Sequence, residues 1–393
     1  MGSGVPRPRP PRCTPGVPCR RCRPRPDRDS AHREQPSCGP EVRHPLAMRF
    51  GLAGFPGSGK TTLFNAMTGL DVPVGYGGEV RVGTVRVPDS RLDFLSRVIS
   101  PRKTTHATIN LRDVPGEHGG TPRVLSPRAL QEIRDRNALC LVLRDFPNPA
   151  LEADSDPLAE LRAFHDECVL ADLAVVERRL DRARKERADV REIDAFETCT
   201  AALGEGRALR LLSAAELHRG FLKGYGLLTD LPLLAAVNVD EERAGEELPA
   251  GLAGEIDEMG GAAMVLSASV EAEIAMLDPD DQAEFLEDLG LPEPILSRFI
   301  RTAYGLMDLI SFFTLGDEDV HAWTIPRGTV ARAAAGQIHT DMERGFIRAE
   351  IIAYEAFAEY GSEQAVKEAG LMRVEGKEYV VADGEIMRVR FNV

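Results

Sequence analysis

The stretch from residue 54 to residue 61 constrains the fold of this chain more than any other part of its sequence. It reads Gly-Phe-Pro-Gly-Ser-Gly-Lys-Thr, follows a short apolar run at 50–53 and leads into a segment whose apolar residues share one helical face. A strand, a glycine-rich turn and a helix in this order are the context that a phosphate-binding loop requires. Small residues let successive backbone N–H groups surround a phosphate, and the helix N-terminus adds partial positive charge. The sequence therefore predicts binding of a nucleoside triphosphate.

Two side chains of this loop have separate predicted roles. Lys60 is expected to reach the β- and γ-phosphates, which makes it a candidate catalytic residue, and the Thr61 hydroxyl is expected to hold Mg²⁺. The other contacts are expected to come from the loop backbone. The predicted phosphate-binding residues are Gly54, Pro56, Gly57, Ser58, Gly59, Lys60, Thr61 and Thr62.

A second motif follows the predicted strand at 107–112. The chain there reads Asp-Val-Pro-Gly, beginning at Asp113. Asp-x-x-Gly is a short and common pattern, but its position at the carboxyl end of a strand after a phosphate loop makes it a candidate for contact with the metal and the γ-phosphate. We expect Asp113 to hold Mg²⁺ through water, and the Gly116 N–H to contact the γ-phosphate.

Two further buried strands, predicted at 232–237 and 262–266, also end in polar motifs. Ligands of open α/β sheets bind outside the carboxyl ends of the strands, so four such endings predict one nucleotide site. At the last two endings we expect an Asn side chain that fixes the loop, a carboxylate that reads the base edge and a backbone amide from a Ser-Ala turn. The predicted base-side residues are Asn238, Val239, Glu241, Ser267 and Ala268.

The rest of the chain divides into segments of different character. Residues 1–47 are rich in Arg and Pro, which predicts a disordered extension. Between 156 and 230, apolar residues at helical spacing on two segments predict an antiparallel hairpin with a solvated, coiled-coil-like tip. The end of the chain predicts short strands, one helix near 363–369 and a closing hairpin with its turn at Asp383-Gly384. The predicted domains are the extension at 1–47, an α/β nucleotide-binding domain at 48–155 and 231–310, a helical insertion at 156–230 and a small α+β module at 311–393.

Charge and composition exclude several classes of protein. The formal net charge is −14, although residues 1–47 carry ten arginines and four acidic residues. An acidic body repels nucleic-acid phosphates, so any RNA contact must come from a local basic face. No run approaches the roughly 18 apolar residues that span a bilayer, and the basic start lacks the apolar core of a secretory signal. We therefore expect a cytoplasmic protein that does not bind a membrane.

The motifs together resemble the YchF or Obg-like ATPases, within the translation-factor class of P-loop GTPases. The resemblance covers residues 48 to 393, and the C-terminal part resembles that family's TGS module, which has a β-grasp fold. Its most specific parts are Val-Pro-Asp-Ser-Arg-Leu-Asp at 87–93, Asn-Val-Asp-Glu at 238–241, Ala-Trp-Thr-Ile-Pro at 322–326, Ile-His-Thr-Asp at 338–341, Gly-Phe-Ile-Arg-Ala-Glu at 345–350 and Phe-Asn-Val at 391–393.

This resemblance implies an ATPase that needs Mg²⁺. The family reads the base with Asn-x-x-Glu, matched here by Asn238 and Glu241, where most relatives have Asn-Lys-x-Asp. It implies ATP as the bound nucleotide, with GTP as the alternative. It also implies contact with the ribosome, its RNA or tRNA through the helical and TGS domains, and a role as a molecular switch in translation or stress.

The chain departs from the family pattern at three places. Gly57 and Ser58 replace Asn and Val of the family's loop, and the stretch 75–79 lacks the threonine that completes the family's Mg²⁺ shell. Glu117 follows the Asp-x-x-Gly motif in place of an apolar residue, and no histidine lies at 147–156, where the resemblance implies one for hydrolysis. Glu117 is therefore a candidate catalytic residue that either orients the attacking water or repels the γ-phosphate.

Two alternative functions stay open from the sequence. The departures favour a nucleotide-binding regulator with little or no turnover, in which binding alone orders the switch segments. The loop also resembles those of nucleoside-monophosphate kinases, but such small-molecule kinases need a mobile arginine-bearing lid. No arginine cluster is placed for one, and the motif at 238–241 and the C-terminal match are unexplained by a kinase.

Overall fold

A computed structural model of the protein describes residues 48–73, 80–114, 127–151 and 154–392. The predicted extension at 1–47 lies outside these ranges, as do Gly116, Glu117 and the segment 75–79. In chain order the strands are β1 (Met48–Ala53), β2 (Arg81–Arg86), β3 (Lys103–Thr105), β4 (Thr108–Asp113), β5 (Ala138–Asp145), β6 (Leu233–Val239), β7 (Gly261–Leu266), β8 (Leu309–Thr314), β9 (Asp319–Pro326), β10 (Phe346–Ile352), β11 (Arg373–Glu375) and β12 (Ile386–Phe391).

The helices alternate with the strands in the first part of the chain, which is the pattern of an α/β domain. They are α1 (Lys60–Thr68), α2 (Ser90–Ile99), α3 (Pro127–Ile133), α4 (Pro157–Glu186), α5 (Val190–Gly204), α6 (Ala250–Glu258), α7 (Ala268–Ile274), α8 (Pro279–Asp288), α9 (Ile295–Leu306), α10 (Ala331–Ile338), α11 (Thr340–Arg344), α12 (Tyr354–Tyr360) and α13 (Glu363–Glu368). Within the described ranges, none of them combines the length and apolar character needed to cross a bilayer.

Among the described residues, the first sheet has six strands in the order β2-β4-β1-β5-β6-β7. All neighbours run parallel except β2, which pairs antiparallel with β4. The sequence of β5 contains the continuous apolar run Leu-Cys-Leu-Val-Leu at 139–143, which predicts a strand covered on both faces. This prediction is confirmed, because the residues from Ala138 to Arg144 are all buried. The parallel arrangement brings the carboxyl ends of β1, β4, β5, β6 and β7 to one edge of the sheet.

Alternate residues of the central strands enter two separate apolar cores. Phe50, Leu52 and Val142 pack with α1 and α9 on one face, while Leu139 and Leu141 pack with α4 on the other. Fully burying a side chain of this kind contributes about 1.5–3 kcal/mol. The edge that carries the polar motifs is therefore held by a well-packed sheet.

The predicted helical hairpin is confirmed as the long antiparallel pair α4 and α5. Three short 3₁₀ turns follow the pair, at Leu209–Leu211, Arg219–Leu222 and Leu228–Asp230. Asp172 of α4 is fully buried and accepts hydrogen bonds from Thr229 N at 2.7 Å, Thr229 Oγ1 at 2.8 Å and Arg134 Nη1 at 3.0 Å. Burial raises the pKa of Asp172. This buried group ties α4 to the segments beside the first sheet.

In the part of the chain that the structure describes, the second sheet has six strands in the order β11-β10-β12-β8-β9-β3. Its edge strand β3 comes from the region before β4 and pairs parallel with β9, so the first part of the chain contributes a strand to the C-terminal module. Arg91 of α2 adds a second link, because its Nη1 donates to Asp383 Oδ2 at 2.8 Å. The segment boundaries predicted from the sequence stay predictions.

Three local predictions are wrong. The valines spaced along 80–87 predict a strand broken at Gly83, but Gly83 does not interrupt β2, whose register with β4 is continuous. A Cβ there would lie 2.4 Å from Thr68 Cγ2, so glycine allows α1 to approach the strand. The C-terminal module has helices α10, α11 and α12 in addition to the predicted one. No closing hairpin forms among the described residues, because β12 pairs with β10 and β8, and the segment before Asp383 contributes an isolated bridge from Val380 to Val330.

Candidate functional site

The loop between β1 and α1 has a backbone that glycine alone accommodates at two positions. Gly54 has φ of 147° and Gly59 has φ of 89°, values that other residues rarely adopt. A Cβ on Gly59 would lie 2.2 Å from Asn238 Nδ2, and one on Gly54 would lie 2.4 Å from Val142 O. Both glycines therefore let the loop pack closely against the ends of β5 and β6.

The two departures in the loop are compatible with its conformation. Gly57 has φ of 76°, in the left-handed region that Asn and Gly adopt most readily, so Gly in place of the family's Asn preserves this turn. Asn148 Nδ2 donates to Gly57 O at 3.3 Å and supports it from the β5 side. Ser58 is fully buried, and its hydroxyl has no hydrogen-bond partner within the described residues.

Lys60 is held inside the loop by backbone carbonyls. It is 7 % exposed, and its Nζ donates to Gly54 O at 2.8 Å and to Phe55 O at 2.9 Å. Burial lowers the pKa of Lys60 to about 8, while the negative charges of Asp113 and Glu160 oppose that shift. A buried ammonium group with two carbonyl partners is poised to exchange them for phosphate oxygens, which are stronger acceptors.

This pKa predicts how nucleotide binding depends on pH. We expect triphosphate affinity to be nearly constant up to about pH 7.5, and to fall by up to about ten-fold per pH unit above about pH 8. The reason is that Lys60, with a pKa of about 8, loses its proton in the free protein, whereas bound phosphate keeps it protonated. Equilibrium binding between about pH 7.5 and 9.5 measures this. Lys60→Arg, which cannot deprotonate, should flatten the profile; a flat wild-type profile would contradict the prediction.

The two predicted metal ligands lie next to each other. Thr61 Oγ1 donates to Asp113 Oδ2 at 3.0 Å, and Asp113 is 2 % exposed at the end of β4. The second carboxylate oxygen, Oδ1, is buried and has no hydrogen-bond partner among the described residues. A hydroxyl and a carboxylate with an unused oxygen fit Mg²⁺, which binds few protein oxygens and keeps several waters.

A cation of the protein already lies beside this pair. Arg81 Nη1 is 3.5 Å from Thr61 Oγ1 and 3.6 Å from Asp113 Oδ2. No sequence pattern selects Arg81, because it lies outside every recognised motif. Its position follows from strand pairing, since Arg81 is directly opposite Asp113 in the register of β2 and β4.

Asn238 connects the loop with the base side of the site. It is 4 % exposed at the end of β6; its Nδ2 donates to Ser58 O at 2.9 Å, and its Oδ1 accepts from Ala268 N at 2.8 Å. The amide of Ala268 is therefore used within the protein, and its contact with a base stays a prediction. Ser267 is buried, and its Oγ lies 3.0 Å from Ser269 Oγ.

The remaining residues predicted on the base side differ in their exposure. Val239 is buried in the core, and Glu241 is exposed in the 3₁₀ turn Glu241–Arg243 that follows β6. The predicted roles of Gly116 and Glu117 lie outside the described residues. Sequence reasoning also missed Glu160, which opens α4 beside the loop: its Oε2 accepts from Arg144 N at 3.0 Å, and burial raises the pKa of Glu160 to about 7. An acidic residue in a first helical turn is too common to have been singled out.

The chain is similar to several known proteins. A family model named YchF-GTPase_C, described as a protein of unknown function (DUF933), matches residues 309–392. The "Ribosome-binding ATPase YchF" of Pasteurella multocida is 37 % identical over 88 % of this chain and all of its own length. The "Obg-like ATPase 1" of rice (Oryza sativa subsp. japonica) is 31 % identical, covering 93 % of this chain and 97 % of its own. The solved structure of the Schizosaccharomyces pombe YchF GTPase has a TM-score of 0.75 at 29 % identity, over 87 % of this chain and 97 % of that one.

Proposed function

The chain belongs to the YchF and Obg-like ATPase family, and from that premise we propose that it binds ATP with Mg²⁺ and cleaves the γ-phosphate. The observation that carries the proposal is a set of direct hydrogen bonds joining three strand ends. Thr61, in the first turn of α1 directly after the loop, donates to Asp113 of β4, and Asn238 of β6 donates to the loop at Ser58 O. A triphosphate lying along this edge would meet the predicted phosphate, metal and base contacts in one continuous path.

Each residue has a defined part in the proposed reaction. Backbone amides of the loop and the ammonium group of Lys60 bind the β- and γ-phosphates and stabilise the charge that develops as water attacks. Thr61 and Asp113 would hold Mg²⁺, which would supply positive charge against the negative charge of the triphosphate. Glu117 is proposed to orient the attacking water, on its sequence position alone. Desolvation around the buried Lys60 strengthens its attraction to phosphate.

We propose the ribosome as the macromolecular partner, because relatives that align along their full length are named for binding it. The exposed face of β10 and β12 offers one surface for RNA phosphates, with Arg348 opposite Arg390 in adjacent strands. Glu350 forms an ion pair with Arg390 at 3.0 Å and reduces this positive charge. Such a partner also favours the cytoplasm as the place where the protein acts.

A regulator that binds ATP without cleaving it stays the alternative. It is favoured by Glu117 in place of an apolar residue and by the lack of threonine at 75–79. The two functions share every contact of the loop, so binding cannot separate them, and cleavage must be measured.

Replacing Glu241 should change the choice of base. We expect Glu241→Asp to lower the preference for ATP over GTP by about ten-fold, because one hydrogen bond to the base edge is worth about 1.5 kcal/mol. The measurement is competition of ATP and GTP for one fluorescent nucleotide. Glu242→Asp, the same change in the neighbouring exposed residue, is the matched control and should leave the preference unchanged. Equal preferences in Glu241→Asp and the wild type would exclude Glu241 as the base-reading carboxylate.

A further inference from the structure

Arg81 is fixed beside the proposed metal ligands by the fold itself. It opens β2 and lies opposite Asp113 in an antiparallel register, so both side chains project from the same face of the sheet. Its Nη2 donates to Pro73 O at 3.1 Å, which holds the guanidinium group from the other side. The Arg81 side chain is 25 % exposed and that of Asp113 is 3 % exposed, so the carboxylate is covered and the guanidinium group faces the site.

The carboxylate of Asp113 needs a positive charge close by when no metal is bound. A buried ion is costly unless it is paired, and a guanidinium group keeps its charge throughout the physiological pH range. Lys60 supplies a longer-range attraction, but its hydrogen bonds go to the loop carbonyls Gly54 O and Phe55 O. Arg81 is therefore the cation that lies nearest to the Thr61–Asp113 pair in the described part of the chain.

Mg²⁺ and a guanidinium group cannot share these oxygens without mutual repulsion. Mg²⁺ binds protein oxygens at about 2.0–2.1 Å and brings its own waters, so it would occupy space that Arg81 approaches. β2 is anchored along its length by six residue pairs with β4, so the Arg81 side chain can swing aside but its backbone stays beside Asp113. In either position its charge favours the triphosphate.

We propose that Arg81 is a built-in cation of the nucleotide site that competes with Mg²⁺ for Thr61 and Asp113, so that triphosphate binding depends only weakly on the metal. The inference rests on the proposed function, and it names which residue sets the metal requirement. It also agrees with the lack of a threonine at 75–79, because a site with fewer metal ligands gains more from a positively charged side chain.

The test is the affinity for ATP with excess Mg²⁺ and with EDTA, measured in the full chain. Wild-type affinity should differ by less than about ten-fold between the two conditions. In Arg81→Gln, the ratio of the affinity in Mg²⁺ to the affinity in EDTA should rise at least about ten-fold above that of the wild type, because binding weakens in EDTA. Half-saturation of this variant with Mg²⁺ should also need less of the metal. Arg81→Lys, which keeps the charge, should stay within about three-fold of the wild type.

The matched control is Arg86→Gln, at the other end of the same strand, where the side chain is exposed. Its ratio should equal that of the wild type, and thermal unfolding of each variant confirms that it is folded. A wild-type ratio above about ten-fold, or an Arg81→Gln ratio equal to the wild type, would overturn the inference while leaving ATP binding intact. Failure of the wild type and of every variant to bind ATP would overturn the proposed function, and this inference with it.

Discussion

Replacing Lys60 by alanine should lower the single-turnover rate of ATP cleavage by about 10²–10³-fold, the usual effect of removing one group that stabilises transition-state charge. Lys60 is the buried cation of the loop, and its Nζ already lies 2.8–2.9 Å from two loop carbonyls. The attraction between the Lys60 ammonium group and the phosphate oxygens is strongest as the γ-phosphate separates, because water is excluded around Lys60. Affinity for ATP should fall as well, by a smaller factor.

Two variants separate the lost charge from disturbance of the loop. Lys60→Met keeps most of the side-chain length without the charge and should cleave ATP as slowly as Lys60→Ala. Lys185→Ala removes an exposed lysine from the last turn of α4 and should cleave at the wild-type rate. Cleavage by Lys60→Ala at the wild-type rate would show that any activity belongs to another part of the chain, or to a contaminant.

Replacing Asn238 by alanine should reduce ATP affinity by about 10–100-fold and destabilise the fold by about 2–6 kcal/mol. The substitution leaves Ser58 O and Ala268 N–H without their partner, and each unpaired buried group costs about 1–3 kcal/mol. It also opens space against Gly59, where the loop packs on β6. The measurements are equilibrium ATP binding and urea unfolding.

Asn137→Ala provides the matched control for this prediction. Asn137 also caps a backbone group, since its Oδ1 accepts from Arg49 N at 3.0 Å, but it lies before β5, at the opposite end of the strands. Its loss should leave ATP affinity unchanged. Asn238→Asp should be intermediate, because a carboxylate still accepts from Ala268 N but repels Ser58 O. Wild-type affinity in Asn238→Ala would mean that this bridge does not shape the loop.

Local sequence signals predicted the elements around the site well. The strand–loop–helix order at 48–68 and the buried run of β5 depend on neighbouring residues, and both are confirmed. The polar endings of β1, β4 and β6 could be expected to meet, because parallel strands place their carboxyl ends on one edge. The hydrogen bonds Thr61–Asp113 and Asn238–Ser58 follow from that arrangement.

Features that depend on pairing between distant segments could not be predicted. The alternation of apolar and polar residues in β12 indicated a strand but not its partner strands. The nearby Asp383-Gly384 turn suggested pairing with the segment before it, whereas β12 pairs with β10 and β8. The three residues of β3 have no distinctive pattern until they pair with β9, more than 200 positions away. The place of Arg81 in the site could not be predicted for the same reason, because only the register with β4 sets it opposite Asp113.

Single-turnover cleavage of radiolabelled ATP and GTP by the wild-type chain with Mg²⁺, beside equilibrium binding of both nucleotides, tests the proposed ATPase activity most directly. We expect ATP to bind in preference to GTP and to be converted to ADP and phosphate, with the product formed in proportion to the protein. ATP that binds tightly but stays intact, with purified ribosomes present as well, would contradict hydrolysis and support the binding-only regulator. A preference for GTP would contradict the assignment of Asn238 and Glu241 to an ATP site.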